Sequence, residues 1–171
     1  LVLGLITIST FAQKNELKTA DKAIKIKDYS AAMTAVTAAE SLLSKMDDKS
    51  KAKFYFLKAQ AYFGKKDYQT AANTFEKLFG LEDQIGKKRY TELARTIQSK
   101  MVQDVYQQAS DQYAAKDYKN AANNFYLSYM LSPLDTVFIY NSAVSFSLAK
   151  EYESSLKYYK ELKDIEIFKL S

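Results

Sequence analysis

Residues 55–79 read YFLKAQAYFGKKDYQTAANTFEKLF, and this stretch decides the fold. Apolar and small side chains recur every three or four residues both before and after the phrase Lys66-Asp67-Tyr68, which is helical spacing. Ala59 lies on the first helical stripe and Ala71 on the second, where small side chains let two helix backbones approach closely. The stretch therefore predicts two helices that pack face to face.

The phrase Lys66-Asp67-Tyr68 occupies the turn between these helices. Aspartate is a favoured N-cap residue because its carboxylate can accept hydrogen bonds from the free amide groups of a first helical turn. The phrase is therefore predicted to supply a helix end, a cap and the first packing residue of the next helix.

Closely similar phrases occur four times, as Lys27-Asp28-Tyr29, Lys66-Asp67-Tyr68, Lys116-Asp117-Tyr118 and Lys150-Glu151-Tyr152. Their tyrosines are separated by 39, 50 and 34 residues. A period of about 34 residues is typical of one helix-turn-helix repeat. The chain is therefore predicted to contain four such repeats.

Composition favours an all-α chain and disfavours most enzyme chemistry. With 4 glycines and 1 proline in 171 residues, little in the chain breaks helices or builds hairpins. The chain has no cysteine and no histidine, which removes thiolate nucleophiles, the commonest general base and the commonest metal ligand. We expect a protein that is not an enzyme, with no catalytic residues, no metal site and no cofactor.

The first twelve residues are interpreted as the remnant of a signal peptide. An uncharged apolar run over residues 1–8 is followed by the stretch Thr10-Phe11-Ala12, which has a small residue at each end, and by a switch to polar residues at Gln13. The pattern predicts cleavage after Ala12 and export to the periplasm or cell envelope. The run falls short of the roughly 20 apolar residues of a membrane span. The alternative is a first apolar helix or strand of the fold.

The second repeat resembles the tetratricopeptide repeat family, whose pattern places aromatic, small and tyrosine residues at fixed offsets. The matching positions are Tyr55, Lys58-Ala59, Tyr62, Ala71 and Phe75. The resemblance implies an α-α superhelix of four repeats within residues 13–171, at about 14–46, 52–81, 88–132 and 136–163. In overall character the chain is similar to exported tetratricopeptide proteins of Bacteroidetes-type bacteria.

The interval of 50 residues predicts one elongated helix in the third repeat. Apolar residues between Tyr90 and Tyr113 step by three or four, which indicates a first helix from about Lys88 to Ala115. Residues 81–87 are interpreted as a flexible connector before it. The alternative is two shorter helices with a break near residues 99–100.

The terminal stretch 164–171 is apolar at alternate or nearby positions and ends without a cap. Terminal helices of repeat arrays normally carry a polar outer face. We therefore expect further chain after Ser171.

The resemblance implies that the first helix of each repeat lines a groove that binds a protein or peptide partner. The implied groove residues are Phe56, Gln60, Phe63, Tyr106, Ser110, Tyr113, Tyr140, Asn141 and Val144. Exposed aromatic residues are favoured binding anchors. The alternative for any one aromatic is packing against a neighbouring helix.

The net charge of +5 comes mostly from lysines scattered among acidic residues, which is typical of a solvated helical surface. Nucleic-acid binding would require a concentrated basic stripe, so we do not expect it. The chain is interpreted as a protein-interaction scaffold of the cell envelope. Two alternatives are a glycan-binding or other ligand-binding module that uses the groove aromatics, and a structural repeat that associates with itself.

Overall fold

The computed structural model describes the backbone of residues 3–170 and the side chains of residues 14–165. Over this range the chain forms eight α-helices and no strand, and the helices pack in consecutive pairs. They are α1 (Leu3–Lys25), α2 (Tyr29–Glu40), α3 (Asp48–Gly64), α4 (Tyr68–Ile85), α5 (Thr91–Ala114), α6 (Tyr118–Leu131), α7 (Val137–Leu148) and α8 (Tyr152–Leu170). The predicted all-α class is confirmed.

The chain divides into an N-terminal unit, Leu1–Ile97, and a C-terminal unit, Gln98–Ser171. Helix α5 begins in the first unit and ends in the second. The side chains of the predicted signal-peptide remnant, and those of residues 166–171 in the predicted uncapped terminus, lie outside the described residues.

Each of the four repeated phrases forms the same turn. The tyrosine is the first residue of α2, α4, α6 or α8, as the sequence predicts. The lysine before it adopts a left-handed conformation, with φ of 60° at Lys27, 62° at Lys66, 65° at Lys116 and 62° at Lys150. At the second phrase the Lys66 amide donates to the Phe63 carbonyl over 2.9 Å, and the Asp67 amide to the Tyr62 carbonyl over 3.0 Å. These bonds satisfy carbonyls that the end of α3 leaves free.

The acidic residue of the phrase caps the next helix at Asp28 and at Asp67. The Asp28 carboxylate accepts a hydrogen bond from the Ala31 amide at 2.9 Å, and Asp67 accepts one from Thr70 at 3.1 Å. Asp117 makes no such cap bond and instead accepts one from the Asn120 side chain at 2.8 Å. The N-cap prediction for Asp67 is confirmed.

The core of the N-terminal unit is built from apolar residues of α1, α2 and α3. Leu17, Val36, Phe54 and Leu57 are buried in one cluster with several alanines. Ala59 and Ala71, the two small residues predicted at close helix contacts, are fully buried. Their burial agrees with helix backbones that approach each other closely.

In the C-terminal unit, Ala109 of α5 packs with Ala121 and Phe125 of α6 in one buried cluster. Helices α7 and α8 are joined by a hydrogen bond from the Ser155 hydroxyl to the Ala143 carbonyl at 2.9 Å. The unit is therefore held by small-residue contacts and by a buried polar contact between its last two helices.

The prediction of a flexible connector at residues 81–87 is wrong for most of these residues. Helix α4 continues to Ile85 and ends at Gly86, whose φ of 66° is the left-handed conformation that glycine favours at a helix end. Helix α5 runs unbroken for 24 residues, so the alternative with a break near residues 99–100 is not found.

Glu82 explains why the segment after α4 is ordered. Its side chain is fully buried. The carboxylate accepts hydrogen bonds from the amides of Tyr90 at 2.9 Å and Thr91 at 3.0 Å, and from the Thr91 hydroxyl at 2.8 Å. A carboxylate in this position accepts hydrogen bonds from free amides at the start of α5. Its negative charge also interacts favourably with the positive end of the helix dipole.

Candidate functional site

Six of the nine predicted groove residues line one pocket of about 430 Å³ in the C-terminal unit. We call it the tyrosine pocket. Its lining residues are Tyr106, Ser110, Tyr113, Phe125, Tyr140, Asn141 and Val144. The structure thus brings together every groove residue predicted in this unit. That they bind a partner remains a prediction.

The local sequence explains the lining. Tyr106, Ser110 and Tyr113 are spaced by four and three residues, so they share one face of α5. Tyr140 and Val144 share a face of α7 in the same way. The sequence did not place Phe125 at the site, although its position four residues after Ala121 marks it as the inward-facing aromatic of α6. It is buried and contributes to the lining from the core side.

Each tyrosine ring of the pocket is braced by another aromatic ring. The Tyr106 centroid lies 5.8 Å from that of Phe125 and 5.4 Å from that of Phe138. Tyr113 lies 5.3 Å from Tyr118 in an edge-to-face arrangement. Such contacts limit the rotamers that the rings can adopt, so they help to hold the pocket in shape.

Tyr140 is braced in the same way, 6.2 Å from Tyr159 of α8. Burial raises the pKa of Tyr159, and the neighbouring Tyr140 phenol adds to the rise. The Tyr159 phenol therefore carries its proton, and can donate a hydrogen bond, at neutral pH.

The pocket has no charged residue in its lining, and several of its hydrogen-bonding groups have no partner among the described residues. Tyr106 and Tyr113 are each 40% exposed and Tyr140 is 49% exposed. Among the described residues, neither their phenolic oxygens nor the Asn141 side-chain amide has a hydrogen-bond partner. The Ser110 hydroxyl, by contrast, donates to the Tyr106 carbonyl at 2.9 Å. None of the lining residues is charged.

The other three predicted groove residues lie on α3 in the N-terminal unit. Phe56 is only 9% exposed, because its ring stacks on Tyr90 with centroids 4.8 Å apart. It has little surface left for a partner and acts as a packing residue. Gln60 and Phe63 are half-buried, and the Phe63 ring lies 6.0 Å from that of Tyr68.

A larger pocket of about 1090 Å³ in the C-terminal unit is lined by both apolar and charged residues, and the sequence did not predict it. It lies along α8, where Leu156 is exposed, and beside Pro133 and Leu134 in the segment after α6. Leu134 is 89% exposed. The signal available in the sequence was the pair Pro133-Leu134, an apolar side chain in a turn with no helix to bury it.

No family model, curated protein or solved structure matches the chain. Among the side chains that the structure describes, no group of three or more acidic residues is placed to hold a metal ion. None of the helices in the described chain is long and apolar enough to cross a membrane.

Proposed function

We propose that the chain is a non-catalytic protein-interaction module that binds a segment of a partner polypeptide in the tyrosine pocket. One observation carries the proposal. Three braced tyrosines and an amide, all without hydrogen-bond partners among the described residues, line one uncharged pocket. Exposed, rigid tyrosines combine apolar contact area with a polar group at low entropic cost, and they are enriched at protein interfaces.

The chemistry of the lining favours binding over catalysis. Ser110 carries the only aliphatic hydroxyl of the pocket, and it donates to a backbone carbonyl with no general base in the lining to activate it. The other lining residues are aromatic, amide or aliphatic, and none is a carboxylate, lysine or histidine of the kind that most often acts as a general acid or base.

We further propose that the module is a four-repeat tetratricopeptide superhelix in which α5 is the elongated helix. The consecutive helix pairs and the turn that recurs at four lysines support this assignment. The apolar run of residues 1–8 and the small residues Thr10 and Ala12 before Gln13 support export to the cell envelope. The mass of the protein isolated from its native cells tests export, since a mature chain that begins at Gln13 is expected.

Selection from a random peptide library tests the binding proposal. Short random-sequence peptides displayed on phage are selected on the full chain, and the affinity of enriched peptides is measured by fluorescence polarisation. We expect Tyr140→Ala to weaken binding about tenfold or more, as for an interface hot spot. Tyr152→Ala, an exposed tyrosine outside the lining, is the matched control and leaves affinity unchanged. Failure to enrich any peptide, or equal affinity for both variants, contradicts the proposal.

A second candidate function is self-association through the larger pocket. Leu134 and Leu156 are both exposed and line this pocket, and they favour self-association because exposed apolar side chains often mark an interface. Sedimentation of the full chain across a concentration series is the test. A dimer that dissociates in Leu134→Glu supports this candidate, and a monomer at all concentrations removes it.

A further inference from the structure

The following inference rests on the proposed function and names the class of partner. We propose that the tyrosine pocket binds an uncharged, proline-rich segment in the extended polyproline II conformation. Three properties of the pocket point to this conformation: the hydrogen-bonding groups it offers, the rings it presents and the charge it lacks.

The first property is a set of hydrogen-bond donors on exposed side chains. Each phenol can donate one hydrogen bond and the Asn141 amide can donate two. None of these groups has a partner among the described residues. A partner that fits them must offer free acceptors. The polyproline II backbone does so, because it has no internal hydrogen bonds and its prolines carry carbonyls but no amide hydrogen.

The alternative backbone conformations fit less well. An α-helical partner uses its backbone carbonyls internally, except in the last turn, and would leave the phenols without acceptors. A β-strand partner needs a strand edge with free backbone groups, and the pocket is lined by side chains of the helices α5, α6 and α7. The pocket offers side-chain donors on a helical scaffold. It therefore favours an extended partner segment whose backbone does not pair with a strand of the protein.

The second property is the set of aromatic faces. Polyproline II segments are recognised by aromatic-lined grooves, where proline rings pack on tyrosine and similar side chains. Tyr106, Tyr113 and Tyr140 supply three such rings, each already braced by a neighbouring ring. Because a polyproline II helix is also preformed, little conformational entropy is lost on either side when the two associate.

The third property is the absence of charge from the lining. A partner segment rich in acidic or basic residues would lose hydration at this site without gaining an ion pair. The best partner is therefore neutral over the part that enters the pocket.

Binding of defined probes tests the inference. A fluorescein-labelled peptide of alternating alanine and proline is titrated with the full chain, next to a matched peptide in which every proline is replaced by glutamine. We expect the proline peptide to bind about tenfold or more tightly. Cellohexaose and chitohexaose serve as competitors, because tyrosine faces also stack on sugars.

A triple variant, Tyr106→Phe, Tyr113→Phe and Tyr140→Phe, keeps the rings and removes the three phenolic oxygens. We expect it to lose about tenfold in affinity for the proline peptide while its circular dichroism spectrum stays unchanged. Tyr152→Phe is the matched control. Unchanged affinity in the triple variant overturns the inference, because the rings alone would then account for binding.

The outcomes separate this inference from the proposed function. If peptides selected from the random library bind at the pocket but neither contain proline nor compete with the proline peptide, the inference fails and the proposed function stands. If only the oligosaccharides bind, or if no peptide of either kind binds, both fail.

Discussion

At the scale of single residues, the lysine of each repeated phrase adopts a backbone conformation that glycine favours. A left-handed conformation costs an ordinary L-residue about 1–2 kcal/mol, and helices commonly place glycine at this position. The sequence predicted a helix end at each phrase from the spacing of its neighbours. The sequence could not predict the positive φ, because lysine does not favour that conformation. The conformation is instead set by the turn that joins two packed helices.

Lys66→Gly is expected to stabilise the protein by about 1 kcal/mol, because glycine adopts φ of 62° without a clash between Cβ and the backbone. Urea unfolding followed by circular dichroism measures the change. Lys65→Gly is the matched control: this neighbouring lysine has an ordinary right-handed conformation, φ −82° and ψ −1°, so glycine brings no relief there. Equal effects of the two substitutions would contradict the account of the turn.

At the scale of helices, the length of α5 was predictable and the segment before it was not. Apolar residues that recur every three or four positions, with no proline or glycine between them, indicate a single long helix, and α5 is one. The end of α4 was not predictable from the sequence, because a glycine normally disfavours a helix, whereas Gly80 lies inside α4 with open space around it. The cap that Glu82 provides for α5 was not predictable either, because its partners Tyr90 and Thr91 lie eight and nine residues further along the chain. A helix-capping residue is normally sought directly before the helix.

The contact of α2 with α3 depends on Gly64. A Cβ atom added there would overlap the ring of Tyr29, the first residue of α2. Gly64→Ala is therefore expected to destabilise the protein by about 1–3 kcal/mol. Gly80→Ala is the matched control in the interior of α4, where nothing lies within 4 Å of the added atom. It is expected to stabilise by about 0.5–1 kcal/mol. Thermal unfolding of both variants checks the opposite signs, and a shift of the same sign in both would refute this view of the contact.

The contact of α6 with α8 is expected to weaken in alkali. The rings of Tyr126 and Tyr158 lie 4.4 Å apart. Burial raises the pKa of both phenols, and the neighbouring Glu161 carboxylate raises them further. A pKa that is raised by folding contributes stability that is fully present below the unfolded value of about 10 and is lost as the pH rises through the folded value.

Urea unfolding between about pH 8 and pH 11 measures this loss. Tyr126→Phe removes one of the ionising groups, so the fall in the free energy of unfolding over this range is expected to be smaller than in the wild type. Tyr152→Phe, which removes an exposed tyrosine of the same unit, is expected to keep the wild-type slope. Equal slopes in all three proteins would show that the Tyr126 and Tyr158 phenols do not govern the alkaline response.

At the scale of the whole molecule, the sequence located the candidate site in one unit more completely than in the other. In the C-terminal unit, the repeat alignment picked out Tyr106, Ser110 and Tyr113 on α5 as well as the contributors from α7, and they line one pocket. In the N-terminal unit the same alignment picked out Phe56, which Tyr90 covers. An alignment assigns a helix face, but it cannot show which neighbouring ring will pack on that face.

The central claim is that the tyrosine pocket is where the chain binds a polypeptide. The most direct test is a two-dimensional carbon-proton NMR spectrum of the chain with isotope-labelled tyrosine rings, recorded while a selected peptide is titrated in. Single Tyr→Phe variants assign the ring signals. The account predicts saturable shift changes at Tyr106, Tyr113 and Tyr140, with no change at exposed Tyr152. Saturable changes confined to tyrosines outside the pocket would contradict it.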